Sequence, residues 1–265
     1  MALVQAEGVR HRHSYSLDAD HDLRDQAKGI ADEVFDIMID AMVNQPRSLQ
    51  KRIGPSEMGI ECSRRILYKL AQVPEPDRGP AWKPQVGTAL HAQQEEWFGR
   101  SNKLPDTADR WLIEESVNVG QIGGQDHPGH TDLFDKFGHA VLDWKFVGAS
   151  MLAKYKAHGP SAQYRTQAHL YGKGWADEGW QTDLVMIFFI PRDGELSDAH
   201  VWSEPFDRTV AENALARMNQ LDGLLKALGL EQALSLYPNC GDRFCPWCSA
   251  EHQAAYQAAR NPFTR

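Results

Sequence analysis

The sequence predicts a mixed α/β fold, a central sheet with helices around it. Three observations carry that expectation. From about residue 110 the hydrophobic period changes to two, and five short apolar segments follow. The stretches before, between and after them have helical spacing with start and stop signals. No internal repeat or low-complexity tract interrupts this pattern.

Residues 1–22 are polar, with an HRH triplet at 11–13, and read as a leader without fixed structure or secretory signal. Residues 23–84 form an N-terminal helical region. Within it, residues 23–45 place Ile30, Val34, Ile37, Met38 and Met42 at helical spacing. In GPSEMGIECSRRILYKLAQV, Ser56 is positioned to cap one short helix, and Cys62 introduces another. The Pro-rich VPEPDRGPAWKP follows as a linker over 73–84. The core region, 85–206, opens with a helix over 85–99 that carries His91. Its strands are WLIEESVNV, GHTDLFD, HAVLDWKFV, DLVMIFFI and HVWSEPF, with a helix at about 160–177 between the third and fourth. Residues 207–265 hold a helix over roughly 207–229, the segment NCGDRFCPWCSAEH and a tail helix.

At 265 residues the chain has room for one large domain, or a core with an appended lobe. No apolar run approaches membrane-spanning length, and a cytoplasmic protein in a reducing compartment is expected. The net charge of -8 argues against a polyanionic partner, but the distribution argues for one. Between Trp144 and Ala176 there is no Asp or Glu, while Lys145, Lys154, Lys156, Arg165 and Lys173 all fall inside. A second acid-free window, Arg78 to Gln94, carries Lys83 and His91. Locally basic strips of this kind suit a phosphate backbone; as plain solvated faces they need no partner.

In an extended strand alternate side chains share a face, so Asp143 and Lys145 point one way while Leu142, Trp144 and Phe146 point the other. The KFGH turn brings Asp132 alongside. Neighbouring carboxylates repel unless a cation lies between them, and Mg²⁺ or Mn²⁺ prefer such oxygen ligands. The bland alternative is a salt-bridged strand end. His91 and Glu95 share one helix face and offer a nitrogen ligand. Gln163, Gln167 and Tyr171 form a polar stripe flanked by Arg165 and Lys173, which suits a nucleic-acid backbone or a solvated face.

The ordered series G-x-x-x-H (Gly87 to His91), G-x-x-D (Gly129 to Asp132), D-x-K (Asp143 to Lys145) and Q-x-x-x-Y (Gln167 to Tyr171) resembles the RecB-like branch of the PD-(D/E)XK nuclease superfamily over roughly residues 55–250. The resemblance implies a nuclease core whose divalent metal is bound by His91, Asp132, Asp143 and the Trp144 carbonyl. It also implies that Lys145 is catalytic and that Gln167 and Tyr171 help position DNA. Two departures are Asp in place of Glu in the third motif and no Pro before Asp132.

Four cysteines, Cys62 with Cys240, Cys245 and Cys248 in a C-x4-C-x2-C run, match the four ligands that Zn²⁺ and [4Fe–4S] equally require. The one-plus-three layout resembles the CRISPR-associated exonucleases and AddB-type nuclease domains, which implies a structural iron–sulfur cluster. The expected function is a metal-dependent DNA exonuclease acting on single strands or free ends in recombination, repair or end processing. A recombination or CRISPR-type partner and an oligomeric state fit the same resemblance. The alternatives are a non-catalytic DNA-binding adaptor of the same fold and a small-molecule metalloenzyme.

Overall fold

The computed structural model describes residues 16–18, 20–43, 52–75 and 82–249. Most of the leader, the middle of the linker and the tail helix expected from sequence lie outside them. Eight α-helices occur among the described residues: α1 (Arg24–Val43), α2 (Pro55–Met58), α3 (Ser63–Leu70), α4 (Trp82–Ser101), α5 (Ala149–His158), α6 (Ala162–Asp177), α7 (Arg208–Leu228) and α8 (Leu230–Ser235). The chain divides into two compact units. The first, Met1–Gln50 with Arg78–Gln85, contains α1. That helix forms where its spacing predicts, with Ile30, Val34 and Ile37 exposed and Ile39 buried.

The second unit, Lys51–Asp77 with Val86–Arg265, is built on a five-stranded sheet. Its strands, in spatial order, are β1 (Trp111–Ile122), β2 (Gln125–Asp135), β3 (Ala140–Val147), β4 (Leu184–Pro191) and β5 (His200–Pro205). All five coincide with the apolar segments read as strands from the sequence. β1–β2, β2–β3 and β4–β5 are antiparallel, and β3–β4 is parallel. A parallel pair needs a long crossover, which α5 and α6 supply. The mixed sheet flanked by helices is the fold class read from the sequence.

Both faces of the sheet are covered. On one, Val117, Phe134, Val141, Val185, Ile187 and Phe189 meet Leu170 and Trp175 of α6 and Met218 and Leu221 of α7. On the other, Leu133, Leu142 and Trp144 pack with Phe98 of α4, whose ring stacks 5.6 Å from that of Trp144. This double coverage explains why LVMIFFI in β4 is apolar throughout instead of alternating.

Two local expectations differ from the structure. α2 is capped by Gly54 with Pro55 at its first position, so Ser56 lies inside the helix. α5, bracketed by Gly148 and Gly159, adds a helix before the expected one; it buries Leu152 and Tyr155. Cys62 does cap α3, its sulfur accepting from the Arg65 N–H at 3.4 Å. No described helix is long and apolar enough to cross a membrane.

Candidate metal centre and cysteine site

β2 and β3 pair through Asp135–Ala140, Phe134–Val141 and Leu133–Leu142, and there the ladder stops. One step further would set Asp132 against Asp143, so both carboxylates stand at the fork where the strands part. The opening frees the Trp144 N–H, and Asp132 Oδ2 accepts it at 2.7 Å. In an extended strand a residue's C=O leaves on the same edge as its N–H, so the Trp144 carbonyl also faces the fork. α4 brings His91 in from outside the sheet, its Nδ1 3.4 Å from Asp132 Oδ1 and its ring edge-on to Phe146 at 5.4 Å. Asp143 is 1% exposed and forms an ion pair with Lys145, whose Nζ lies 4.9 Å from the centre of the Tyr164 ring.

Burial, with Asp132 adding to it against the pull of Lys145, pushes the Asp143 carboxyl up to about 6. Burial opposes the charge on His91 and on Lys145 as well. The carboxylates beside them prevail and raise both, Asp132 for His91, and Asp143 with Asp132 for Lys145. Asp143 Oδ1 is buried and makes no hydrogen bond. Three oxygens and one imidazole nitrogen are a donor set that fits Mg²⁺ or Mn²⁺.

One residue that the sequence reading did not single out joins this place. Glu114 of β1 puts Oε1 4.0 Å from His91 Nδ1, and ligand atoms of His91, Glu114 and Asp132 lie within 4.8 Å of one another. Its φ is 50°, a left-handed conformation that costs a non-glycine residue about 1–3 kcal/mol. Among the described residues neither Glu95 nor Asp143 has a ligand atom within that group; Asp143 stands beside it, paired with Lys145.

The α6 stripe turns inward. Gln167 and Tyr171 are both buried, and the Gln167 amide donates to Tyr171 Oη at 3.0 Å. Gln163 donates to the Ser56 carbonyl at 2.5 Å, tying α6 to α2. Tyr171 lies so close to β2 that a Cβ added at Gly129 would be 2.7 Å from its ring and 2.6 Å from Pro55. The glycine of G-x-x-D is thus a point of close approach. Arg165 donates to Glu204 at 2.5 Å, an oxygen that the buried His169 also engages.

The four cysteines, at opposite ends of the sequence, meet in one place, with their sulfurs within 4.8 Å of one another. Cys62 Sγ is 3.6 Å from Cys248 Sγ and 3.8 Å from Cys245 Sγ. Burial pushes the Cys62 and Cys245 thiols up. At Cys240 the Asp242 N–H and the neighbouring sulfurs outweigh burial and lower the pKa. A cation in their midst would draw off those protons and relieve the crowding. The donor set is all sulfur and fits a tetrathiolate group. Sulfurs about 2.3 Å from one tetrahedral ion stand about 3.8 Å apart, the spacing seen. A cubane, one thiolate on each iron, needs a wider set.

Several packing contacts surround the cysteines. Tyr68 stacks on Trp247 with ring centres 4.0 Å apart. Arg64 donates to the Leu234 and Tyr237 carbonyls at 2.8 and 3.1 Å, and Arg217 to those of Ile60 and Glu61 at 2.7 and 2.9 Å.

No family model matches the sequence, and neither does any curated protein. Among solved structures the chain is similar to SSO0001, at 14% identity over 83% of this chain and 93% of that one, with a TM-score of 0.45. It is similar to a phage-related exonuclease from Haemophilus somnus 129PT, at 12% identity over 67% of this chain and 96% of that one, TM-score 0.45. An alkaline exonuclease (LHK-Exo) from Laribacter hongkongensis follows at 11% identity, covering 76% of this chain and all 100% of that one, TM-score 0.40.

Proposed function

We propose that this chain is a divalent-metal-dependent DNA exonuclease of the RecB-like branch, hydrolysing phosphodiester bonds at DNA ends in recombination, repair or end processing. One observation carries the reading: His91, Asp132, Asp143 and Lys145, drawn from three elements, converge where β2 and β3 part. His91, Asp132, Asp143 and the Trp144 carbonyl would hold Mg²⁺ or Mn²⁺. Such an ion supplies Lewis acidity to a scissile phosphate and makes water a stronger acid.

Lys145, kept charged by its carboxylate neighbours, offers a cation to phosphoryl oxygens as negative charge builds on them. Asp132, by accepting the Trp144 N–H, fixes the Trp144 peptide at the fork. Lys154 and Lys156 are exposed on α5, the helix that leaves β3, where they can meet a phosphate backbone. Gln163, Gln167 and Tyr171 help position DNA indirectly, by seating α6 against α2 and the middle of β2 at Gly129. We extend the proposal to the cysteines, which would hold a structural [4Fe–4S] cluster as the resemblance implies, with single Zn²⁺ as the alternative.

End-labelled linear DNA incubated with Mg²⁺, Mn²⁺ or EDTA tests the activity, with a circular substrate to separate endonuclease from exonuclease. Cleavage is expected only with metal and only on free ends. Asp143→Asn and Lys145→Ala are each expected to lower the rate at least about 10²-fold. Folded protein that binds DNA and cuts it in no metal is a DNA-binding adaptor instead.

A further inference from the structure

We propose that Glu114 is a further ligand of the divalent ion at the fork, a position no motif assigns; the inference rests on the metal-centre reading above. Four non-glycine residues among those described have a left-handed φ, and Gln72, Asp109 and His139 of these occupy turns. Glu114 alone lies inside a strand. Left-handed residues in strands commonly belong to bulges, which shift the pairing by one. Here the register is the same on both sides: Ile113 faces Leu133 and Glu115 faces Thr131. The twist therefore does not realign the strands. This register sets Glu114 across from Asp132, and its carboxylate reaches toward His91 Nδ1 and Asp132.

A second observation, on the neighbouring Asp143, also points to a cation. Asp143, fully buried, feels the charges of Asp132 and His91, and its Oδ1 has no hydrogen-bond donor. A divalent ion held by Glu114, Asp132 and His91 neutralises the two carboxylates together and lowers the charge that Asp143 meets. Two carboxylates and one imidazole outside the Asp143–Lys145 pair also let the ion bind while that pair stays intact. The nitrogen ligand favours Mn²⁺ over Mg²⁺.

The test is Mn²⁺ binding to the full chain without DNA, read by calorimetry or by loss of the free-ion EPR signal. Glu114→Gln is expected to weaken Mn²⁺ at least about tenfold while the metal-free melting temperature stays within a few degrees. Glu114→Gly separates the carboxylate from the backbone: it relieves the φ and is expected to melt higher without metal, yet to bind Mn²⁺ as weakly as the Gln variant. Wild-type affinity in either variant overturns the proposal and leaves the nuclease reading standing. Mn²⁺ binding that depends on Glu114, in a chain that cuts no DNA, upholds the ligand and removes the nuclease. A wild-type chain that binds no Mn²⁺ overturns both.

Discussion

Asp143 shows most directly how one residue's surroundings set its chemistry. Its carboxyl is raised to about 6 by burial, above the usual carboxylate range. Metal must displace the protons on it and on His91. Mn²⁺ affinity is therefore expected to fall as pH drops, first through the raised range of His91 and then through about 6 at Asp143, by up to about tenfold per unit for each proton displaced. A titration of affinity against pH checks this, and a flat profile from pH 5 to 8 would count against Asp143 as a ligand. Gly129 makes a different residue-scale case, because Tyr171 and Pro55 occupy the space a side chain would take. Gly129→Ala is expected to cost about 1–3 kcal/mol of stability by urea denaturation and to lower metal affinity with it, since it displaces the Asp132 end of β2.

At the scale of elements, the turn between β2 and β3 is pinned by Asp135. Its carboxylate receives Arg110 Nε at 2.8 Å and the Phe137 N–H at 3.0 Å. Burial alone would raise this carboxyl, but Arg110 and the turn's backbone N–H groups hold it below the usual range. A depressed folded-state pKa contributes stability that is present above about 4 and lost as pH falls through the lower folded value. Asp135→Asn is expected to remove that acid-limb dependence and about 1–3 kcal/mol at neutral pH. Unfolding midpoints of both proteins between pH 2.5 and 7 measure it. The same turn sets the register that brings Asp132 opposite Asp143, so a weaker hairpin also loosens the metal centre.

On the scale of the whole molecule, the cysteines bind early and late chain together. Cys62 and Cys248 are 186 positions apart. A cross-link over such a span removes on the order of 5 kcal/mol of chain entropy from the unfolded state. Chain prepared under nitrogen is expected to be brown from thiolate-to-iron charge transfer, with iron and acid-labile sulfide by analysis. Colourless protein with one zinc per chain would replace the cluster by a single ion, whose sulfur spacing the thiols already match. In either case Cys245→Ser is expected to lose the metal and several degrees of melting temperature. The Tyr68–Trp247 stack and the Arg64 and Arg217 hydrogen bonds would keep the termini partly docked.

The sequence by itself determined the strands, the long helices and the identity of the chemical groups. Period-two and period-3.6 hydrophobicity are local properties; the strands and α1 follow from them, and α4, α6 and α7 form close to the expected bounds. α5 escaped because only Leu152 and Tyr155 of its ten residues are buried, too few for a period to stand out. Tertiary structure decided what depends on register and on which face is covered. The Gln163–Gln167–Tyr171 stripe is polar along the helix, yet α2 and β2 cover it, so its amides bond inside the protein. Glu114 is one of two adjacent glutamates in a strand, and nothing in IEES says which of them turns toward His91. That choice is made by the register of β1 on β2, which sets Glu114 and not Glu115 opposite Asp132, a long-range constraint that no local pattern encodes.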